Sequence, residues 1–216
     1  MQKIDDNIIN LFEKSNPGFQ KIKIADSMKL KRGGSLANPY LAYETWGELS
    51  KFKDNVVVIL TGLSASSHVA SSRTNPGAGW WEGMVGNGKA IDINKYYVIC
   101  INSLGSCFGS TGPASINDIT KEPYRLTFPE LSIDDMASAT KLLLDRLGID
   151  SIHTLIGPSM GGMHALALVV QNTNLIRNFI AISTASQSLP YSIAIRSLQR
   201  EVIRKDPLWK NGYYSP

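Results

Sequence analysis

The pentapeptide Gly157-Pro158-Ser159-Met160-Gly161 sets a serine between two glycines in the pattern Gly-x-Ser-x-Gly. A serine hydroxyl becomes a useful nucleophile only when the backbone presents it and a base takes its proton. On one side of the motif, Ile152 to Ile156 is a short apolar stretch containing β-branched residues. On the other, Met160 to Val170 carries an apolar helical pattern. Strand, sharp turn and helix are the context that makes this motif a nucleophile elbow. Such a turn needs small residues, and it predicts a strained backbone at Ser159 with Oγ exposed. The amide of Met160, at the start of the helix, then points to where an oxyanion would form. The amide of Leu63, in the turn Thr61-Gly62-Leu63, is the candidate second donor. A glycine-rich turn holding a passive serine is the alternative, and the flanking pattern argues against it.

Ser159 needs a base, and the fold that uses this elbow places its partners after the nucleophile, in the order Ser, Asp or Glu, His. The three histidines are His68, His153 and His164, and none follows the elbow helix. His164 sits on that helix and reads as a packing or surface residue. His153 opens the elbow strand at its far end and reads as structural. His68 falls in the connection after an earlier strand, where it would line a pocket rather than act as the base. The expectation is a chain that stops before its acid and histidine, as the N-terminal part of a larger enzyme. A short homologue without activity is the alternative.

The elements that would position Ser159 follow from hydrophobic periodicity. Phe19 to Ile24 and Leu41 to Trp46 read as strands, the second ending at Gly47. Val56 to Leu60 and Tyr96 to Ile101 are apolar runs typical of buried parallel strands. Ile133 to Leu147 has helical spacing, with Ser132 as N-cap and Gly148 as stop. Asn178 to Ile182 is a further strand, and Ser192 to Lys205 a further helix closed by Asp206-Pro207. Strands alternating with helices predict an α/β fold with a mostly parallel sheet. Without further strands, Asn178–Ile182 would stand as an unpaired apolar edge. Two long connections, 61–92 and 102–129, follow strands at their C-terminal ends, where open α/β sheets bind ligands.

Composition narrows the classes. The chain has 216 residues, 43% of them apolar and 19% charged, which suits a soluble domain with a substantial core. A net charge of +4, spread along the chain, gives no case for nucleic acid. Cys100 and Cys107 suggest neither a disulfide framework nor a metal site, so a cytoplasmic, reducing setting is expected. Asp5, Asp6 and Glu13 interrupt the apolar N-terminus, unlike a signal peptide. No apolar run approaches the roughly 20 residues that span a bilayer.

The chain resembles the homoserine O-acyltransferases of the α/β-hydrolase superfamily. The matching stretches are Leu60-Thr61-Gly62, Gly79-Trp80-Trp81-Glu82-Gly83, Gly88-Lys89-Ala90-Ile91-Asp92 and Asn102-Ser103-Leu104-Gly105-Ser106-Cys107. Gly109 to Asn117 and Ser159-Met160-Gly161-Gly162-Met163 complete them, in family order and spacing from about residue 19 to 214. The resemblance implies an α/β-hydrolase core over residues 19–189, incomplete at its C-terminal strands. An N-terminal segment, 1–18, would precede it, and 190–216 would begin a helical lid. Members continue well beyond this point, and the missing part holds the triad aspartate and histidine. The residue before the nucleophile is Pro158, where members more often carry Ala, Asn or Gly. Proline fixes its own φ and restricts Gly157 before it.

The resemblance implies a ping-pong reaction. Ser159 takes an acyl group from an acyl-CoA, and the side-chain hydroxyl of L-homoserine, in methionine biosynthesis, then removes it. Acyl-CoA enters as a co-substrate, with no bound cofactor and no metal; a homodimer is compatible. The family arginine that pairs the amino-acid carboxylate maps onto Arg200. Three segments look more like succinyl-transferring members: Ser64 to Ser72, Glu122-Pro123-Tyr124-Arg125-Leu126, and Ile193 to Arg200. His68, Val69, Ala70, Ser71 and Ser72 lie in the first, taken as a specificity loop. Succinyl carries a carboxylate that acetyl lacks, and a buried carboxylate needs a cation or several donors. Arg196 or a nearby arginine is the expected supplier. Homoserine O-acetyl transfer, serine O-succinyl transfer, simple esterase action and an inactive truncated homologue remain alternatives.

Overall fold

The structure is a computed structural model that describes residues 17–213. Its centre is a six-stranded sheet in the order β1-β4-β8-β5-β9-β10. These strands are β1 (Gln20–Lys23), β4 (Tyr40–Trp46), β5 (Val56–Leu60), β8 (Tyr97–Ile101), β9 (Ile152–Pro158) and β10 (Ile176–Ile182). β8, β5, β9 and β10 run parallel; β4 and β1 add antiparallel at one edge. The run Val56–Leu60 is buried at every position, as its unbroken apolar sequence requires.

Two helices cover the sheet beside the elbow. α1 (Ile133–Arg146) starts at Ser132, whose hydroxyl accepts from the Asp135 amide while the Asp135 carboxylate accepts from the Ser132 amide. That reciprocal cap fixes the helix start, and Gly148, at φ +66°, ends the turn beyond it. α2 (Met160–Gln171) packs against α1 and the sheet. α3 (Pro190–Lys205) begins with proline in its first turn and buries none of its residues. β10 is the sheet's other edge among the described residues, with Ile180 46% exposed.

Sequence periodicity missed two small ladders: the hairpin of β2 (Ser27–Lys29) with β3 (Ser35–Ala37), and the parallel pair of β6 (Val85–Gly86) with β7 (Ile91–Asp92). Elements of two or three residues are too short to show a period. The long connection 61–92 is therefore not structureless, and polar side chains pin it. Glu82 accepts from the amide and hydroxyl of Ser71 (2.7 and 2.9 Å), from the Gly79 amide (3.0 Å) and from Lys89 (3.1 Å). Those donors, led by the Gly79 and Ser71 amides, pull its carboxyl down to about 2.

The second pin is a buried ion pair. Glu44, on β4, is 2% exposed, and its Oε2 lies 3.0 Å from His68 Nδ1. His68 Nε2 lies 2.9 Å from the Gly77 carbonyl, so each ring nitrogen has an acceptor, Nδ1 lying also 3.3 Å from the Asn75 side-chain nitrogen. Burial alone would lower its pKa; the bonds to Glu44 and Gly77 and the charges of Glu44 and Glu82 reverse that and raise it. Ser67 and Asn102 extend the network toward β8. Removing one partner strands the other charge in the interior, so Glu44→Gln or His68→Gln should each cost about 3–5 kcal/mol in urea unfolding. The double variant should cost less than the sum of the two. Strict additivity would mean the two side chains do not act as a pair.

His164 behaves differently. It is buried between α2 and α1, with Nε2 3.0 Å from the Thr140 hydroxyl. Desolvation pushes its pKa down to about 4. An unfolded imidazole titrates near 6.5. Between those values the unfolded chain holds the extra proton, so stability falls as pH drops from about 6.5 toward about 4. His164→Gln should shrink the stability lost between about pH 7 and about pH 4 by about 3 kcal/mol, read from urea titrations. An unchanged acid limb would assign it to other groups.

Candidate active site

The elbow forms as its glycines require. Ser159 has φ +53° and ψ −122°, outside the ordinary regions for a residue with a side chain. Its amide donates to the Ile182 carbonyl at 2.9 Å. Its own carbonyl accepts from the Gly162 amide (3.0 Å) and the Thr184 hydroxyl (2.8 Å). A side chain at Gly161 would overlap the Leu60 carbonyl oxygen, and one at Gly157 would overlap the Gly161 carbonyl. A Cβ at Gly162 would sit 2.5 Å from Thr184 Cγ2. Pro158 is accommodated as the last residue of β9, beside Ile182. Ser159 is exposed, and no described residue hydrogen-bonds its hydroxyl.

The turn after β5 sits beside it. A Cβ built on Gly62 would lie 3.9 Å from Ser159 Cβ. Among the described residues the amides of Leu63 and Met160 donate to no protein acceptor, the state an oxyanion hole needs. Leu63 and Met160 also line a cavity of about 650 Å³. Its far walls come from the connection after β8, from α1, and from Trp209 and Gly212 beyond α3. Ser159 itself is not a wall residue; the cavity opens next to the elbow, on the oxyanion side.

The histidines lie apart from Ser159. His68 is committed to Glu44 and Gly77, and His164 to Thr140. His153 packs at a tilt against Tyr96 near the start of β9, six residues and so about 20 Å of strand from Ser159. Arg196 and Arg200 are exposed on α3 and bond within that helix, to Gln199 and Ser197. Neither lines the cavity; the arginine that does is Arg125. In the segment 68–72, Val69 and Ala70 are buried against Gly79, while Ser71 is held by Glu82. Among the described residues no cluster of His, Cys, Asp or Glu could hold a metal ion. No described helix is long and apolar enough to cross a membrane.

Sequence reasoning missed Glu44 and singled out Arg125 only as part of a longer stretch. A lone acid in the apolar strand Leu41-Ala42-Tyr43-Glu44 is the signal that points to the first. Arg125 gives no such signal, because its placement follows from loop geometry.

The family profile described as alpha/beta hydrolase fold matches residues 55–216. A serine O-succinyltransferase of Stenotrophomonas maltophilia (strain K279a) is 52% identical over 198 residues, 92% of this chain and 54% of that protein. An L-serine/homoserine O-acetyltransferase of Streptomyces lavendulae is also 52% identical, over 92% of this chain and 53% of that protein. The crystal structure of a homoserine O-acetyltransferase from Bacillus anthracis superposes with a TM-score of 0.84 at 33% identity, covering 91% of this chain and 54% of that one. Esterase E22 gives 0.82 at 33% identity, covering 91% of this chain and 55% of that one. The chain thus spans about half the length of the curated relatives it matches. With Ser159 on a strand-to-helix elbow in a mostly parallel sheet, the chain belongs to the alpha/beta hydrolase family, and its relatives include proteins named as serine and homoserine O-acyltransferases.

Proposed function

We propose that this chain is the nucleophile-bearing part of an O-acyltransferase that moves an acyl group from acyl-CoA to the hydroxyl of homoserine or serine. The carrying observation is Ser159 at positive φ beside two amides, Leu63 and Met160, that have no acceptor among the described residues. Ser159 Oγ attacks the thioester carbonyl while a base takes its proton. The carbonyl oxygen gathers negative charge between the two amides. Collapse breaks the C–S bond, leaves an acyl-serine ester, and CoA departs as the thiol with the proton the base had taken. The amino-acid hydroxyl then attacks that ester, gives its proton to the same base, and frees Ser159.

The three histidines are engaged by Glu44, Thr140 and Thr154, which supports the reading that the base and its acid are supplied from elsewhere in the complete protein. Succinyl-CoA is the favoured donor and L-homoserine the favoured acceptor, in methionine biosynthesis, in a cytoplasmic enzyme. Serine succinylation and homoserine acetylation are the closest alternatives, supported by the names of the relatives. Arg200 is proposed to orient the acceptor carboxylate. The exposed α3 and the residues after it are proposed to begin a lid that limits water at the acyl-serine.

Hydrolysis is the second reading, because esterase E22 shares the fold at 33% identity. The protein made from its complete gene separates the two. Homoserine or serine should accelerate CoA release from succinyl-CoA at least about tenfold over water alone. CoA release indifferent to either amino acid would make it a hydrolase. Ser159→Ala should lower the rate by about 10⁴-fold or more. Gly161→Ala, which drives a methyl into the Leu60 carbonyl, should abolish labelling of Ser159 by a fluorophosphonate.

A further inference from the structure

The segment from Thr61 to His68 forms an arch beside the elbow. Its apex is exposed at Leu63, and its feet, Thr61 and Ser67, are buried. Among the described residues, 62–65 make no hydrogen bond of their own, so the feet decide where the Leu63 amide sits. Both feet stand on the end of β8. The Thr61 hydroxyl reaches the Ile101 carbonyl by a long bond of 3.4 Å. The Ser67 hydroxyl accepts from the Asn102 side-chain nitrogen at 3.0 Å. The same nitrogen donates to the Phe108 carbonyl at 2.7 Å, so one carboxamide ties the arch to the loop after β8. The Trp80 indole adds a bond to the Ser66 carbonyl at 2.8 Å.

Asn102 is a costly residue to bury. It is 0% exposed, and its Oδ1 has no hydrogen-bond partner among the described residues. Turning the amide over gives no relief, because that oxygen would then face the Phe108 carbonyl. A buried carbonyl left unpaired is a penalty that an apolar side chain of similar size avoids. What the carboxamide supplies, and a leucine would not, is the pair of ties to Ser67 and Phe108.

We propose that Asn102 is a positioning residue of the oxyanion hole, acting through Ser67 to hold the arch that carries the Leu63 amide. It is not a wall of the cavity beside the elbow. Its effect on the reaction therefore passes through the arch. A donor stabilises a developing oxyanion only from the right place, and a shift of about 1 Å costs about 100-fold in rate. This role rests on the acyl-transfer reading only in part, since any acyl chemistry at Ser159 needs the same hole.

The test uses the protein made from its complete gene and two acyl donors. Succinyl-CoA with homoserine requires acyl transfer; p-nitrophenyl acetate with water requires only the nucleophile and the hole. Asn102→Ala should lower kcat for both by about 10- to 100-fold, with each KM within about threefold. Ser67→Ala, a smaller change at the same tie, should lower kcat in the same way and carries the test if Asn102→Ala fails to fold. The double variant should be no slower than Asn102→Ala alone. Leu63→Pro removes the amide hydrogen itself; in that background Asn102→Ala should change kcat by less than about twofold. Ser110→Ala is the control for stability. It deletes buried bonds to the Asn102 carbonyl (2.7 Å) and from the Ala42 amide (3.0 Å) that do not lead to the arch. It should lower the melting temperature and leave kcat unchanged. An unchanged kcat in both Asn102→Ala and Ser67→Ala would overturn the role. So would losses that add to that of Leu63→Pro, or an equal loss in Ser110→Ala. If ester hydrolysis responds to Asn102 while homoserine never speeds CoA release, the acyl-transfer reading fails and the positioning role stands. If homoserine speeds CoA release and neither donor responds to Asn102, the positioning role fails alone.

Discussion

The contact on which the site depends is between two stretches of backbone. Gly161, at the start of α2, sits so close to the Leu60 carbonyl that no side chain fits between them. That approach brings the N-terminus of α2 against the end of β5. It sets the Met160 amide beside the turn that offers the Leu63 amide, and it leaves Ser159 no ordinary conformation. The strain at Ser159 is offset by bonds on both sides of it: its amide to Ile182, its carbonyl to Gly162 and Thr184. The sheet order matters for the same reason. β9 lies between β5 and β10, so the elbow is gripped from one side by the β5 turn and from the other by the end of β10.

Electrostatics does the corresponding work for the loops. The connection 61–92 is too long and too polar to be held by apolar packing alone, and it carries the turn that supplies Leu63. Glu82 gathers the amides of Ser71 and Gly79, and Glu44 binds His68 from beneath. The two acids act in opposite settings. Glu82 is solvated at the loop surface and gains from several donors at once. Glu44 is buried and depends on one imidazolium, with Ser67 as a weaker second donor. A buried pair of this kind adds little net stability but penalises every arrangement that separates the charges, which is how it specifies one loop conformation.

The regular elements were legible because their period is long enough to read. Val56–Leu60 has the limits its apolar run predicts, and Ser132 caps α1 as its type and position require. The elbow was legible because three small residues around a serine have few other uses. β6 and β7 were not, since two residues carry no period. The pairing of Glu44 with His68 joins a strand to a loop 24 residues away, and nothing local announces it. Arg125 was hidden in the same way. The cavity it lines draws its walls from the loop after β8, from α1 and from beyond α3, three regions that no sequence spacing relates.

On the proposed acyl-transfer reading, the same arrangement separates the two problems an acyltransferase must solve. Making the acyl-serine needs a strained nucleophile and paired amides, and these are built from β5, β9 and α2 within the sheet itself. Keeping water from that ester while admitting an amino-acid hydroxyl needs cover that the sheet cannot provide. α3 carries apolar residues that stay largely exposed, among them Ile193 at 52%, Leu198 at 62% and Val202 at 64%. The segment just beyond it folds back so that Trp209 and Gly212 wall the cavity and Gly212 meets Arg125. Where esterases and acyltransferases share a nucleophile on one fold, the sheet therefore cannot distinguish them. The distinction has to lie in the covering segments, because water and an amino-acid hydroxyl differ little as nucleophiles and much in how they must be admitted.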